Sequence, residues 1–288
     1  MKRIKAILCA LTFVFVLFAG CSAKADNMIS ADITLLTWNI FMASADTDAL
    51  ALTLDGTLTD IFTLQECTPE AYEKVVNPFV ERNAAYKIAC RKIGEKACRT
   101  PILFNEEKLT LVFSGTEVFR ESYQGSPSKS AAYCVFTDKS GNKSFIVINM
   151  HGAVTRNKDA GYEDYTQEEL AELAVEWRKG NVRQVKEIVD RLFNVYGELP
   201  VIMAGDCNFA ADSEPYKIIT SYGFKDKVAA NTKSTHEVGL LPTEGKAIDH
   251  VFINDGFKFS SYEMLTDRTT LLASDHCPIL AGVAFCNS

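Results

Sequence analysis

Asn39, Glu66, His151, Asp206, Asn208, Asp249, Asp275 and His276 stand at the ends of apolar runs in this 288-residue sequence. Asn39 follows Leu35-Leu36-Thr37-Trp38, and Glu66 follows Thr63-Leu64-Gln65. Asn149 and His151 end Phe145-Ile146-Val147-Ile148, and Asp206 and Asn208 end Val201-Ile202-Met203-Ala204-Gly205. Asp249 and His250 begin a run, and Asp275 and His276 precede Pro278-Ile279-Leu280. Carboxylates with amide oxygens are hard donors suited to Mg²⁺, which prefers oxygen and keeps several waters. Histidines near a hydrated cation can move protons or hold a phosphoryl oxygen. Asn can donate to a phosphate oxygen or orient an attacking water. Together these residue types point to metal-assisted, in-line attack of water on a phosphoester. No C-x-x-C occurs, so zinc has little support. No G-x-S-x-G occurs either, which removes a serine-hydrolase reading.

Residues so distant in sequence can meet only if strands bring their ends to one rim, where α/β proteins commonly place ligands. Ile33 to Trp38, Ile61 to Leu64, Leu199 to Ala204, Ile248 to Asn254 and Ile279 to Phe285 read as strands. Thr68-Pro69-Glu70 begins a helix, with Thr68 as N-cap and Pro69 in the first turn. Ile102 to Phe104 and Leu109 to Phe113 are expected to pair around Asn105-Glu106-Glu107. Ala132 to Phe136 and Ser144 to Asn149 flank Asp138-Lys139-Ser140-Gly141-Asn142, a hairpin signal. Val182, Val185, Ile188, Val189, Leu192 and Phe193 recur at helical steps. They predict a helix over Asn181 to Tyr196, separated by Gly180 from another at Gln167 to Lys179. Arg183 and Gln184 fall on its surface. Hairpins mixed with long helices indicate an α/β protein with mixed sheets. With no Pro/Gly/Ser-rich linker, residues 32–288 are expected to form one domain after a tether over 21–31.

The N-terminus reads as an export signal. Lys2, Arg3 and Lys5 precede an apolar run from Ile7 to Phe18 that is short for a membrane span. Phe18-Ala19-Gly20-Cys21 resembles a bacterial lipobox, with Phe18 where Leu is preferred. Ala23-Lys24-Ala25 offers an ordinary cleavage site. Lipidation of Cys21, giving an envelope lipoprotein tied to the membrane, is the preferred reading. A periplasmic or secreted form is the alternative. Removing residues 1–20 takes away three positive charges and moves the formal balance from −7 to −10. That acidity argues against a broad nucleic-acid footprint, although a bound Mg²⁺ can dominate a local cleft. Of nine cysteines, Cys9 lies in the signal and Cys21 at its end, leaving seven. Cys90 and Cys98 are close enough for a local bridge in an oxidising compartment, or both are free.

Thr37-Trp38-Asn39-Ile40, Leu64-Gln65-Glu66, Asn149-Met150-His151, Gly205-Asp206-Cys207-Asn208, Ile248-Asp249-His250 and Ser274-Asp275-His276 form an ordered series. In that order they resemble the motifs of the endonuclease/exonuclease/phosphatase superfamily over about residues 32–286. The resemblance implies a four-layer α/β sandwich, two mixed β-sheets flanked by helices. It implies that Glu66 is the principal Mg²⁺ ligand, helped by Asn39 and Asp275, with Mn²⁺ as a possible substitute. Asp206 would orient or deprotonate the attacking water, and Asn208 would position phosphate and nucleophile. His276 would contact the phosphate, oriented by Asp249, and His151 would hold the phosphate or assist the leaving group. Met150 and Gly152 depart from the Thr and Leu common around that histidine. His250 reads as structural, His236 as an ordinary loop histidine although Thr235-His236 sits where related enzymes approach substrate, and Cys67, Cys207 and Cys277 as packing residues.

The expected activity is a phosphodiesterase, most simply an extracellular nuclease. A phosphatase for inositol phosphates, lipid headgroups or nucleotides is the alternative, and an inert surface binding module is the third. Retention of Glu66, Asp206 and His276 argues against the last. The substrate is a phosphoester, with nucleic acid among the candidates, and no protein partner is evident. The diester preference rests on motifs that predict no arginine clamp. Arg91, Lys92, Lys96 and Arg99 read as a solvated basic loop.

Overall fold

The computed structural model describes residues 30–122, 128–154, 162, 164–227, 234–236 and 246–286. The expected signal, Cys21 and nearly all of the tether lie outside the described residues.

The strands are β1 Ile33–Asn39, β2 Ile61–Gln65, β3 Tyr86–Ile88, β4 Lys92–Ile93, β5 Lys96–Ala97, β6 Ile102–Asn105 and β7 Leu109–Val118. They continue with β8 Ser130–Asp138, β9 Ser144–His151, β10 Val201–Asp206, β11 Lys225–Asp226, β12 Asp249–Ile253, β13 Phe257–Met264 and β14 Ile279–Phe285. Helices are α1 Thr47–Thr57, α2 Pro69–Ala71, α3 Asn77–Arg82, α4 Gln167–Tyr196, α5 Glu214–Ser221 and α6 Arg268–Ala273, with a π-turn at Tyr72–Val76. Thr68 caps α2 as expected, its hydroxyl accepting from Ala71 N.

Two six-stranded sheets form, ordered β13-β14-β1-β2-β6-β3 and β11-β12-β10-β9-β8-β7. Each is mixed, with β1–β2 and β9–β10 parallel and their other pairings antiparallel. Apolar clusters lie between the sheets and on the outer, helix-covered face of each, giving the four layers of the expected sandwich. The runs at β1, β2 and β10 are buried almost continuously because both faces of a central strand are covered. Between the sheets, Phe136, Phe145, Phe257 and Phe285 pack with ring centroids 4.8–5.9 Å apart. Burying each such ring contributes about 1.5–3 kcal/mol.

Two expected elements change. β6 does not pair with β7: it lies between β2 and β3 in one sheet, whereas β7 pairs with β8 in the other. The Asn105-Glu106-Glu107 turn therefore crosses between sheets, and a local turn cannot reveal which partner takes each edge. Gly180 does not separate two helices; α4 runs unbroken through it. The missing side chain instead leaves room for the Glu121 carboxylate, which an added Cβ would meet at 2.2 Å. Gln184 is likewise buried, not on the surface. It accepts from Arg120 N and donates to Val118 O, while Arg183 is exposed.

Candidate active site

Register collects the site. Asp206, the last residue of β10, is opposite His151 of β9 and Asp249 of β12, so three expected site residues fall in one row. In the other sheet, Asn39 is opposite Gln65, one residue before Glu66. Because β14 runs antiparallel to β1, its leading residues Asp275 and His276 reach the same rim. Buried amides hold the two rims together. Asn39 Nδ2 donates to Asp206 Oδ2 at 3.0 Å, and Gln65 Nε2 donates to Asn149 Oδ1 at 2.8 Å. Asn149 Nδ2 returns the bond across the gap, to Leu64 O and Pro101 O.

Glycines allow the close approach. Gly205 has φ 141°, and a Cβ there would meet Met150 O at 2.0 Å. A Cβ on Gly152 would meet Cys207 O at 2.4 Å, so a residue as large as Leu does not fit after His151 in this chain. Glu66 and Asn208 take positive φ of 60° and 55°, conformations that non-glycine residues adopt where surrounding structure enforces them.

Asp206 is the centre of the cluster. Its Oδ2 lies 3.3 Å from His151 Nε2 and 3.9 Å from His276 Nε2, and its Oδ1 accepts from Asn208 N at 3.0 Å. Burial opposes its ionisation, but His151, His276 and Lys129 outweigh it and hold the carboxyl well below its ordinary range. His276 Nδ1 lies 2.8 Å from Asp249 Oδ2. Burial alone would depress this imidazole; Asp249, then Asp206, raise its pKa to about 10. Burial pushes the Asp249 carboxyl upward. His151 is the opposite case: burial and Lys129 lower its pKa despite Asp206. Lys129 Nζ is 2.5 Å from His151 Nε2. The two imidazoles of the rim are thus shifted in opposite directions.

A cavity of about 810 Å³ opens over this cluster, with Glu66, His151, Asp206, Asn208, Asp275 and His276 on its wall. Glu66 Oε1 lies 3.9 Å from His151 Nε2. Asn39 is buried beneath, its Oδ1 accepting from Phe41 N. Glu66 and Asp275 supply carboxylate oxygens to one cavity, a donor chemistry that fits Mg²⁺. Among the described residues, His236/Asp275/His276 and Asp206/Asp249/His276 are triads whose donor atoms lie within 4.8 Å of one another. Glu66 belongs to neither triad.

Several residues differ from expectation. His236 is no ordinary loop histidine: its ring lies 4.6 Å from that of His276, and its Nε2 is 3.5 Å from Asp275 Oδ2. His250 stands apart, its ring nitrogens 2.7 Å from Asp226 Oδ2 and 2.7 Å from Phe209 O. Cys90 Sγ lies 3.7 Å from Cys134 Sγ, while Cys98 Sγ contacts Thr100. Packing between the sheets, not sequence proximity, selects the thiol neighbour of Cys90. Cys67, Cys207 and Cys277 are buried, and burial pushes the first two thiols up, as suits packing residues. The motif series predicts no arginine clamp, and two arginines outside it, Arg99 and Arg178, line the cavity with Lys129. Each lies outside the motif series, on a loop, a helix and a strand edge, where local sequence carries no signal of convergence.

Two mixed sheets facing each other, with paired carboxylates and imidazoles at one rim, define a class of phosphoester hydrolase. The chain belongs to the Endonuclease/Exonuclease/phosphatase family, whose profile matches residues 36–276. No curated protein matches the sequence. Among solved structures, a mannosyl-6-phosphatase of Bacteroides thetaiotaomicron shares 20% identity with a TM-score of 0.67, covering 88% of this chain and 100% of its own. The human Nocturnin catalytic domain with bound sulfate shares 15% identity at TM-score 0.62, covering 88% and 93%. TDP2 of D. rerio with a single-strand DNA product shares 14% at TM-score 0.63, covering 88% and 98%. At these identities the likeness is one of fold.

Proposed function

We propose that this chain is a Mg²⁺-dependent hydrolase that directs water in line at a phosphoester. The observation that carries the reading is Asp206, set between His151 and His276 on the wall of one cavity with Glu66 and Asp275. Glu66 and Asp275 would hold the cation, and Asn39 would steady Asp206 from below. A bound Mg²⁺ supplies charge stabilisation for the phosphoryl group. Asp206 keeps its charge, so it orients the attacking water more than it stores a proton. The protonated His276 offers Nε2–H to a phosphoryl oxygen, with Asp249 fixing the ring from Nδ1. Asn208 is held by Asp206 and by its own bond to Gly152 O at 3.2 Å, which places it to position phosphate and nucleophile.

A panel of plasmid DNA, RNA, bis-ester and mono-ester reporters, inositol phosphates and sphingomyelin tests this, each with Mg²⁺ and with chelator. Turnover that chelator abolishes and Mg²⁺ or Mn²⁺ restores is expected. Turnover unchanged in excess chelator overturns the metal assignment. No turnover of any ester by folded protein favours the binding-module alternative.

Export as a lipoprotein is proposed from the charged start, the short apolar run and Ala19-Gly20-Cys21. Intact mass of membrane-extracted protein should show a lipidated Cys21; an unmodified chain beginning at Asp26 refutes the lipid and leaves export standing.

A further inference from the structure

We propose that Lys129 and Arg178 form a clamp for a phosphoryl dianion, which makes this site selective for small phosphomonoesters. The inference rests on the phosphoester reading and adds the ester class. Lys129 sits one residue before β8 and is 6% exposed, with Nζ against His151 Nε2 on the cavity wall. Arg178 comes from the middle of α4 and is anchored through Nε on Ala153 O at 2.7 Å. That segment is itself fixed, since Gly152 N donates to Asp206 O and Ala153 N donates to Asn181 Oδ1. Both cations are therefore tied to the strand ends that carry His151 and Asp206. Arg99 reaches the wall from the opposite sheet, its carbonyl accepting from Cys67 N beside Glu66.

Charge decides the ester class. Among the described residues, Arg99, Lys129 and Arg178 on the wall match in number the carboxylates Glu66, Asp206 and Asp275, and His276 on the same wall is matched by its partner Asp249. A divalent cation at those carboxylates then leaves about two positive charges, and a monoester carries about −1.5 to −2 near neutral pH. A diester carries one negative charge and a second substituent, so it leaves part of this charge unanswered. The cavity volume of about 810 Å³ is that of a small-molecule site, and the formal charge of −7 disfavours a long polyanion.

The test compares methyl phosphate with dimethyl phosphate, which differ by one methyl group and one charge. Calorimetric binding to the whole protein with Mg²⁺ should favour methyl phosphate by about tenfold or more, the scale of a charge-assisted contact. Lys129→Met and Arg178→Met should each lose about tenfold for methyl phosphate and under about threefold for dimethyl phosphate, with Lys129→Arg recovering part of the loss. Unfolding midpoints establish that the variants are folded, and either one suffices if the other is not. Equal losses for both ligands, or tighter dimethyl phosphate binding by wild type, overturn the clamp. Reporter hydrolysis separates the two claims. Diester turnover that exceeds monoester turnover and ignores Lys129→Met sinks the clamp and leaves a phosphoester hydrolase. Charge-selective binding that Lys129→Met abolishes, without turnover of any ester, supports the clamp and removes the hydrolase.

Discussion

His276 and Asp249 are joined by a 2.8 Å contact between Nδ1 and Oδ2, which turns the imidazole's Nε2 toward Asp206. Against the effect of burial, this carboxylate raises the imidazole pKa to about 10. His276→Ala should cost about 10²–10⁴ in kcat, the range for a positioned acid–base group. Asp249→Asn should cost less at neutral pH and should move the alkaline limb of the rate profile downward, because the ring then loses its proton sooner. An NMR titration of His276 alongside kcat against pH checks both. An unchanged titration midpoint in Asp249→Asn contradicts the pairing.

Asp206 and His276 should act as one unit. Asp206→Ala is expected to lose about 10²–10⁴ in kcat, and the double variant with His276→Ala much less than the product of the single losses. Each side chain faces the cavity, so both variants should fold, although Asp206→Ala also frees Asn39 Nδ2. Wild-type kcat in either folded single variant removes the catalytic assignment.

Glu66 is expected to carry most of the metal affinity. Mg²⁺ at about 100 times its Kd should stabilise the wild type by about 2.7 kcal/mol through linkage. Glu66→Gln should weaken that thermal shift more than Asn39→Ala, whose Oδ1 is committed to Phe41 N. The φ of 60° adds a control: Glu66→Gly should be at least as stable as Glu66→Gln while equally inactive. A full Mg²⁺ shift in Glu66→Gln places the cation elsewhere.

His250 gives a pH signature outside the cavity lining. Burial would lower its pKa, but Asp226 and then Phe209 O raise it above the ordinary value. A raised folded pKa means that this contribution to stability is complete below the unfolded value of about 6.5. It declines as pH rises from there through the folded pKa. Urea unfolding of wild type and His250→Gln should therefore show a stability gap that narrows over the interval above about pH 6.5. A gap that widens over that interval contradicts a charged His250.

The sequence by itself determined the strand ends and the chemistry placed on them. β1, β2, β9, β10, β12 and β14 lie where apolar runs stop, because a buried strand needs continuous apolar residues and the rim does not. Asn39, Glu66, His151, Asp206, Asn208, Asp249, Asp275 and His276 were legible for that reason. Tertiary structure alone decided which sheet takes each strand, so the turn after β6 reads as a hairpin and is a crossover. It alone brought Lys129, Arg99 and Arg178 to one wall, since cations from a strand edge, a loop and a helix share no period. It also set the direction in which each site histidine shifts. Two histidines of equal intrinsic basicity diverge because one packs against an ammonium and the other against a carboxylate.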